Sequence, residues 1–113
     1  MKESPIFAKT HDLLLWLIPR TLKFPREHRF SLVSRIQDAT FNLQDHLLSA
    51  ATDRRRQNQH LIAADISLNQ LRQRLRLAHD LELLSDNRYR HVSEMTSEIG
   101  RLLGAWLRST NHN

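Results

Sequence analysis

The sequence predicts an all-α protein, specifically an up-down-up-down bundle of four helices. Apolar residues recur at alternating spacings of three and four along four long stretches, which is the pattern of one helical face. The 113 residues include only two glycines and three prolines, and this composition argues against a sandwich or barrel. The links between the stretches are short, so consecutive helices should run nearly antiparallel. We expect one domain over residues 1–113, with helices at about 5–22, 26–52, 55–84 and 87–109.

The first helix is expected to begin at Ser4-Pro5, because serine caps helices and proline fits the first helical position. Its apolar stripe consists of Ile6, Thr10, Leu13 and Leu17. The run 13–18 makes the helix apolar on nearly all sides, so it should be buried on more than one face, inside the bundle or against another subunit. Pro19 lacks a backbone donor and should kink or weaken the last turn.

Phe24-Pro25 separates the first helix from the second, since proline forces the preceding residue out of the helical region. The second helix should bury Val33, Ile36, Thr40, Leu43, Leu47 and Ala50. A short link containing the arginine triplet leads into the third helix. No glycine or proline interrupts that helix, which should bury Leu61, Ala64, Leu68, Leu71, Leu75 and Ala78.

Ser85-Asp86-Asn87 should break the chain and cap the fourth helix. The predicted stripe of this helix is Val92, Met95, Ile99, Leu102 and Trp106. Gly100 and Gly104 lie four apart on one face. Charged neighbours argue against a membrane dimer motif and favour close helix approach. We also expect four aromatic residues to serve in packing: Trp16, Phe24, Phe30 and Trp106.

Arginine dominates the charge of the chain. The net charge is +5, and fourteen of the seventeen cationic residues are arginine, whose planar fork of donors suits phosphate and carboxylate. Antiparallel helices would gather Arg20, Lys23, Arg26 and Arg29 at one end of the bundle. Arg54, Arg55 and Arg56 would lie at the other end, with Arg72, Arg74 and Arg76 on the third helix. This distribution favours a polyanion or an acidic partner, with a basic solvated surface as the alternative.

The aromatic residues are too few, and their context too apolar, for a base-stacking platform, so any nucleic-acid binding should show weak sequence readout. No catalytic constellation is recognisable. A di-iron bundle requires Glu-x-x-His pairs, whereas the chain has His91-x-x-Glu94 in the reverse order and no second copy. We therefore expect no enzyme, no metal and no cofactor.

The chain contains no cysteine, which excludes disulfides and thiolate metal sites and fits a reducing cytoplasm. The longest apolar run, 13–18, is too short to cross a bilayer about 30 Å thick. The N-terminus also lacks the features of a signal peptide. We expect a cytoplasmic protein without membrane association.

Several segments together resemble the accessory variability determinant (Avd) proteins of diversity-generating retroelements. These proteins belong to a wider four-helix bundle family that includes proteins encoded in intervening sequences of ribosomal RNA genes. The matching positions are Pro5-Ile6, Lys9, Asp12-Leu13, Trp16-Leu17, residues 23–30, Arg35-Ile36, Leu71-Arg72, residues 76–78 and residues 98–107. The Phe-Pro-Arg turn combined with the Glu-Ile-Gly-Arg to Trp-Leu segment is the most specific part.

The resemblance implies a homopentameric barrel of four-helix protomers with a basic surface. It implies an accessory protein that binds the reverse transcriptase of its element together with template RNA or cDNA. Such a protein supports mutagenic reverse transcription and retrohoming without catalysis of its own. The contact residues that it suggests are Arg20, Lys23, Arg26, Arg29, Arg72, Arg74 and Arg76. Arg54, Arg55 and Arg56 lie outside the family pattern and are possible additional basic contacts.

Two other interpretations remain open from the sequence. The chain could be a bundle protein of the ribosomal RNA intervening-sequence type, with no polymerase partner. It could also be an oligomeric interaction module whose binding to RNA is weak. Nucleic-acid binding alone would not separate them, because any protein with this much positive charge binds polyanions to some extent.

Overall fold

A computed structural model of the chain describes residues 5–110. This part of the chain contains four α-helices and no β-strand: α1 (Pro5–Thr21), α2 (Ser34–Thr52), α3 (Gln57–Asp80) and α4 (Asp86–Thr110). A 3₁₀ turn (Arg26–His28) and a π turn (Arg29–Val33) precede α2, and a second 3₁₀ turn (Arg54–Arg56) precedes α3. The molecule measures 46 × 25 × 20 Å, which is the shape of helices lying side by side.

Each helix packs against its neighbours in the chain, and α1 closes the bundle against α4. Contacts between helix ends define the directions of the helices. Gln37 Nε2 on α2 donates to Thr21 Oγ1 at the end of α1 at 3.0 Å. Thr110 Oγ1, at the end of α4, donates to Asn58 Oδ1 at the start of α3 at 3.3 Å. The predicted all-helical architecture is therefore confirmed.

The core lies along the middle of the bundle and is built from the apolar stripes of all four helices. Leu13, Leu43, Leu71 and Ile99 are fully buried. Burial of one such side chain contributes about 1.5–3 kcal/mol, so the stripes fix the rotation of each helix about its own axis. On α4 the buried set is Val92, Thr96, Ile99 and Leu103, rather than one centred on Met95, Leu102 and Trp106, which are only half-buried.

Threonine hydroxyls inside the core are all satisfied by their own helices. The Oγ1 atoms of Thr10, Thr40 and Thr96 donate to the carbonyl oxygens four residues earlier, at 2.7, 2.7 and 3.0 Å. A buried hydroxyl without such a bond would cost free energy. Because the bond is local, threonine can occupy a core position without a partner on another helix.

The second helix begins later than predicted. We expected it to start near residue 26, but the chain first forms the 3₁₀ turn and then the π turn, and regular α-helix begins only at Ser34. The wider π turn lets the consecutive residues Leu32 and Val33 both face the core, where each is 6% exposed. Phe30 is left 90% exposed, so the prediction that it is a packing residue was wrong.

The third helix ends at Asp80 instead of near residue 84. Its end is a Schellman motif, in which Leu83 N–H donates to the Ala78 carbonyl at 2.8 Å and Glu82 N–H donates to the His79 carbonyl at 2.9 Å. Glu82 has a left-handed φ of 64°. The motif turns the chain and delivers Leu84 into the core, which an uninterrupted helix to residue 84 would not do.

The first helix is not buried on all sides within a single chain. Leu13 and Leu17 face the core, whereas Leu15 and Leu22 are 61% and 71% exposed. These two residues lie seven apart, on the face of the helix opposite the core. We expected this helix either inside the bundle or against another subunit. The structure shows that it does not lie in the interior of the bundle.

We predict that Glu82→Gly stabilises the protein. A left-handed φ costs a residue with a Cβ atom about 1–2 kcal/mol, and glycine avoids this cost. Part of the gain is offset because glycine has more conformational freedom to lose when the chain folds. The net increase in the free energy of unfolding should be about 0.5–1 kcal/mol, measured by urea denaturation. Glu82→Ala is the control, because alanine removes the carboxylate without relieving the backbone, and equal stabilisation by both variants would contradict this explanation.

Candidate functional site

Three cationic side chains stand free at the end of the bundle where α1 leads into α2. Lys23, Arg26 and Arg29 are exposed, and none of them forms an ion pair among the described residues. The link that carries them is anchored by backbone bonds, since Phe24 N–H donates to the Thr21 carbonyl at 3.1 Å. These side chains are therefore available to an external anion.

Arg20 lies at the same end but makes contacts within the chain. Its guanidinium carbon lies 4.2 Å from the centroid of the Trp16 ring, and its Nη1 donates to the Trp16 carbonyl oxygen at 2.8 Å. The Nε atom is buried without a hydrogen-bond partner. A cation over an aromatic ring is stabilised by the negative face of the ring. Arg20 is therefore less available to a partner than Lys23, Arg26 and Arg29.

The predicted residues of α3 lie on two different sides of that helix. Arg72 faces α4, where its Nη2 donates to Ser97 Oγ at 3.3 Å. Arg76 is one turn further along, and its Nε lies 4.0 Å from Asp80 Oδ2, an exposed pair of little energetic weight. Arg74 lies instead beside α2, where it lines two grooves together with Arg35. The three arginines are thus close in sequence but do not form one cluster.

The glycines of α4 lie close to neighbouring side chains. A Cβ atom at Gly100 would lie 3.4 Å from Leu68 Cδ2 and 3.8 Å from Arg72 Nη1. Both distances are ordinary van der Waals contacts, so the packing of α3 against α4 does not require glycine at this position. A Cβ atom at Gly104 would meet only the Arg108 guanidinium of its own helix, at 3.4 Å.

A groove between the π turn and α3 brings together residues that the sequence did not connect. It is lined by His28, Phe30, Ser31, Leu32, Arg35, Arg74, Leu77 and Leu81. Sequence reasoning missed Arg35 as a site residue, because its position beside Arg74 depends on the register between α2 and α3. One feature of the sequence could have indicated this groove, namely that Phe30 directly follows Arg29 in a basic segment.

The arginine triplet lies at the opposite end of the bundle and is exposed throughout. Asp53 precedes it and caps the turn, accepting a hydrogen bond from the Arg56 backbone N–H at 3.3 Å. Asp53 Oδ2 also lies 2.9 Å from His60 Nε2. The hydrogen bond from His60 is the main reason that the pKa of Asp53 lies below its ordinary value.

The groove between α1 and α4 is more acidic, with a lining of Lys9, Asp12, His91, Glu94, Met95 and Glu98. Glu98 binds the Arg101 guanidinium through two hydrogen bonds of 2.6 and 3.1 Å. This pairing lowers the pKa of Glu98 and raises that of Arg101. The charge of Arg101 is therefore neutralised locally, unlike the charges of Lys23, Arg26 and Arg29 between α1 and α2.

Two further findings limit the chemistry of the described residues. Within residues 5–110, no group of three or more His, Asp or Glu side chains has a geometry that would hold a metal ion. In the same part of the chain, every helix is too short or too polar to cross a lipid bilayer. The described surface offers cations, the exposed rings of Phe30 and Phe41 and shallow grooves.

The chain matches a known protein family. A family model described as bAvd-like matches residues 6–110, which is nearly the whole chain and covers all four helices. A search of the curated proteins found no match. The resemblance inferred from the sequence is confirmed by the family model.

We predict that Asp53→Asn lowers stability in a pH-dependent way. Because the pKa of Asp53 is lowered in the folded chain, its ionised carboxylate stabilises the fold above the ordinary pKa of 3.8. This contribution is lost as the pH falls through the lowered value. Thermal unfolding of both proteins, followed by circular dichroism from pH 7 downward, should show a difference in Tm that shrinks below about pH 4.

The matched control is Asp45→Asn, because Asp45 is exposed and forms no ion pair among the described residues. This variant should follow the wild type at every pH. A difference between Asp53→Asn and wild type that stays constant down to pH 3 would contradict a role for the charge of Asp53.

Proposed function

The chain belongs to the bAvd-like family, and we propose that it is a non-catalytic accessory protein of a diversity-generating retroelement. In this role it binds the reverse transcriptase of the element, together with template RNA or cDNA, in the cytoplasm. It supports mutagenic reverse transcription and retrohoming by holding these components, and it needs no cofactor. The observation that carries the proposal is the family match over residues 6–110, which spans the basic surface.

The state of the charges supports a nucleic-acid partner. Lys23, Arg26, Arg29 and Arg74 have no anionic partner within the described residues. Each phosphate contact by such a residue releases condensed counterions and adds affinity that falls with salt. Since the free cations surround the end of the bundle and extend along α3, they suit a ligand that carries many charges better than a single small anion.

We propose that the reverse transcriptase contacts the side of α3 that faces α4. Arg72 and Arg76 lie there one turn apart, and both are exposed. Their contacts within the chain are weak, because Ser97 is neutral and the Asp80 carboxylate is 4.0 Å away. Carboxylates of a partner protein would bind these guanidiniums at shorter distance and displace little internal structure.

We further propose a homopentamer, with the number five taken from the family resemblance. The exposed apolar side chains of the single chain support assembly with other copies. The exposed set comprises Leu15 on α1, Leu22 directly after this helix, Phe41 and Leu48 on α2, and Ile62 and Ile66 on α3. Apolar residues at helical spacing on an outer face favour burial against another helix. Five copies would carry a formal charge of about +25, five times the +5 of one chain, which strengthens attraction of a polyanion.

The reverse transcriptase contact is tested by the double variant Arg72→Glu/Arg76→Glu. Because two reversed charges oppose an acidic partner surface, recovery of the polymerase should fall by about tenfold or more. The measurement is a nuclease-treated pull-down of the tagged protein from its source cell, with bound proteins identified by mass.

The control is Arg55→Glu/Arg56→Glu, which makes the same change in charge at the opposite end of the bundle and should retain the polymerase. Wild-type protein that recovers ribosomal proteins and no polymerase would favour the intervening-sequence type over the retroelement. Recovery of no partner by any variant would favour a general oligomeric module. Full recovery by the α3 variant would refute the proposed contact while leaving the family role intact.

The assembly is tested by Leu15→Glu/Leu22→Glu, which places two carboxylates on the exposed face of α1. If this face is buried between copies, the change should convert the oligomer to chains of 13.3 kDa, because buried unpaired charges are costly. Native mass spectrometry gives the mass directly. Asn87→Glu, at an exposed position in the first turn of α4, should leave the mass unchanged, and a monomeric wild type would contradict the proposed assembly.

A further inference from the structure

We infer that Phe30, Arg35 and Arg74 form a binding site for one nucleotide of an unpaired strand. The base stacks on the ring of Phe30, and the adjoining phosphate binds the two guanidiniums. The inference rests on the proposed function, in that the ligand is nucleic acid. It adds a defined site with a preference for single strands, contrary to the expectation that no aromatic residue is available for stacking.

Phe30 carries the most exposed aromatic ring among the described residues, ahead of Phe41 at 45%. Trp16 lies beneath Arg20, Phe7 packs edge-on against Trp106 with centroids 6.0 Å apart, and Tyr89 stacks on His79 at 4.4 Å. Phe30 is 90% exposed. The turn that displays it is a π turn, a rare backbone state that is frequent at functional sites. Exposing a whole aromatic ring to water is unfavourable unless a ligand covers it.

The groove beside Phe30 is open to solvent, partly apolar and large enough to hold a nucleobase. Its volume is about 530 Å³, and Leu32, Leu77 and Leu81 form its apolar wall. His28 and Ser31 lie at its edge, and no carboxylate lines it. A nucleobase placed here would have the Phe30 ring on one face and aliphatic side chains around it.

Arg35 and Arg74 lie at the junction of this groove with a second, polar groove. Both residues line both grooves, and neither has an ion pair among the described residues. The second groove, of about 270 Å³, also contains Asn42 and Gln70, whose amides can bind a sugar or the next base. A phosphate at the two guanidiniums would thus join a stacked base on one side to a polar nucleotide contact on the other.

The second groove also contains Asp38, which opposes an anion. Its carboxylate lies more than the ion-pair distance of 4.0 Å from both guanidiniums, so it does not occupy the phosphate position. It should nevertheless weaken binding through repulsion. Removing this charge therefore provides a variant for which the site predicts a gain in affinity.

An unpaired strand fits these observations better than an acidic peptide. Arg26 and Arg29 precede Phe30 closely along the chain and are free of ion pairs among the described residues, so two further cations adjoin the segment that carries the ring. A strand supplies a phosphate for every nucleotide and matches such a row without a special sequence, whereas a peptide would need several correctly spaced carboxylates. Base stacking on an aromatic residue is also available only to bases that are not paired.

The test is binding of a fluorescein-labelled 12-nucleotide oligouridylate, measured by anisotropy at several salt concentrations. Loss of a stacked base costs about 1–3 kcal/mol, so Phe30→Ala should weaken binding by about tenfold. The salt dependence should not change, because no charge is lost. Phe30→Tyr keeps an aromatic ring at this position and should retain the affinity of the wild type.

The arginine pair has a different signature. Arg35→Gln/Arg74→Gln should weaken binding and also lower the slope of log affinity against log salt by about 0.7 for each lost phosphate contact with a single strand. Asp38→Asn should strengthen binding. The control Arg55→Gln/Arg56→Gln removes the same charge at the far end of the bundle, and it should change the affinity less than the Arg35 and Arg74 pair does.

A direct readout of stacking is the fluorescence of Phe30→Trp. A tryptophan at this exposed position should be quenched when the oligouridylate binds, beyond any quenching of the native Trp16 and Trp106 in the wild type. Circular dichroism of each variant verifies that the helices are retained. Stronger binding of the single strand than of a 12-base-pair duplex by the wild type, abolished in Phe30→Ala, completes the expected pattern.

The inference is overturned if Phe30→Ala binds the oligouridylate as tightly as wild type. It is also overturned if Phe30→Ala and the Arg35 and Arg74 pair lose the reverse transcriptase in the pull-down but keep the oligonucleotide, since the groove then holds a protein segment. Failure of the wild type to bind any oligonucleotide would refute both the site and the nucleic-acid part of the proposed function. Failure of Phe30→Ala to show an effect, with normal wild-type binding, refutes the site alone.

Discussion

Burial of the apolar stripe of α3 against α2 is the constraint on which most of the surface depends. Leu61, Leu68, Leu71 and Leu75 are almost completely buried, and α2 carries a matching stripe of Ile36, Leu43 and Leu47. Once these residues face each other, the helices cannot rotate without exposing several large side chains at about 1.5–3 kcal/mol each. The same rotation sets Arg72 towards α4 and Arg74 towards α2. The positions of the cations thus follow from the packing of leucines.

The entry into α2 shows how a local irregularity becomes a surface feature. Pro25 ends the preceding link, and the chain then forms a tight 3₁₀ turn and a wide π turn before the regular helix. This change in winding lets Leu32 and Val33 both reach the core. As a consequence, Phe30 faces solvent and lines the same groove as Arg35 and Arg74. A regular α-helix from residue 26 would place these side chains at other angles around the axis.

The cations of the protein differ in how available they are. The charge of Arg101 is matched by Glu98 in a two-bond pair, and Arg20 lies on the ring of Trp16. Arg35 and Arg74 have neither kind of partner. Net charge alone would count all of them equally, although only guanidiniums without an internal anion retain their full attraction for a ligand. The surface that can bind a polyanion is therefore smaller and more localised than the composition suggests.

The sequence by itself determined the helical class, the four helices and most of the buried positions, because heptad spacing and scarce glycine leave few other ways to bury the apolar residues. It also contained the family resemblance, which depends on residues close together in the chain. The tertiary structure decided where α2 begins and where α3 ends, since Leu32, Val33 and Leu84 enter the core only when the other helices are in place. It alone brought Arg35 beside Arg74, residues on separate helices whose proximity depends on the register of side-chain packing between them.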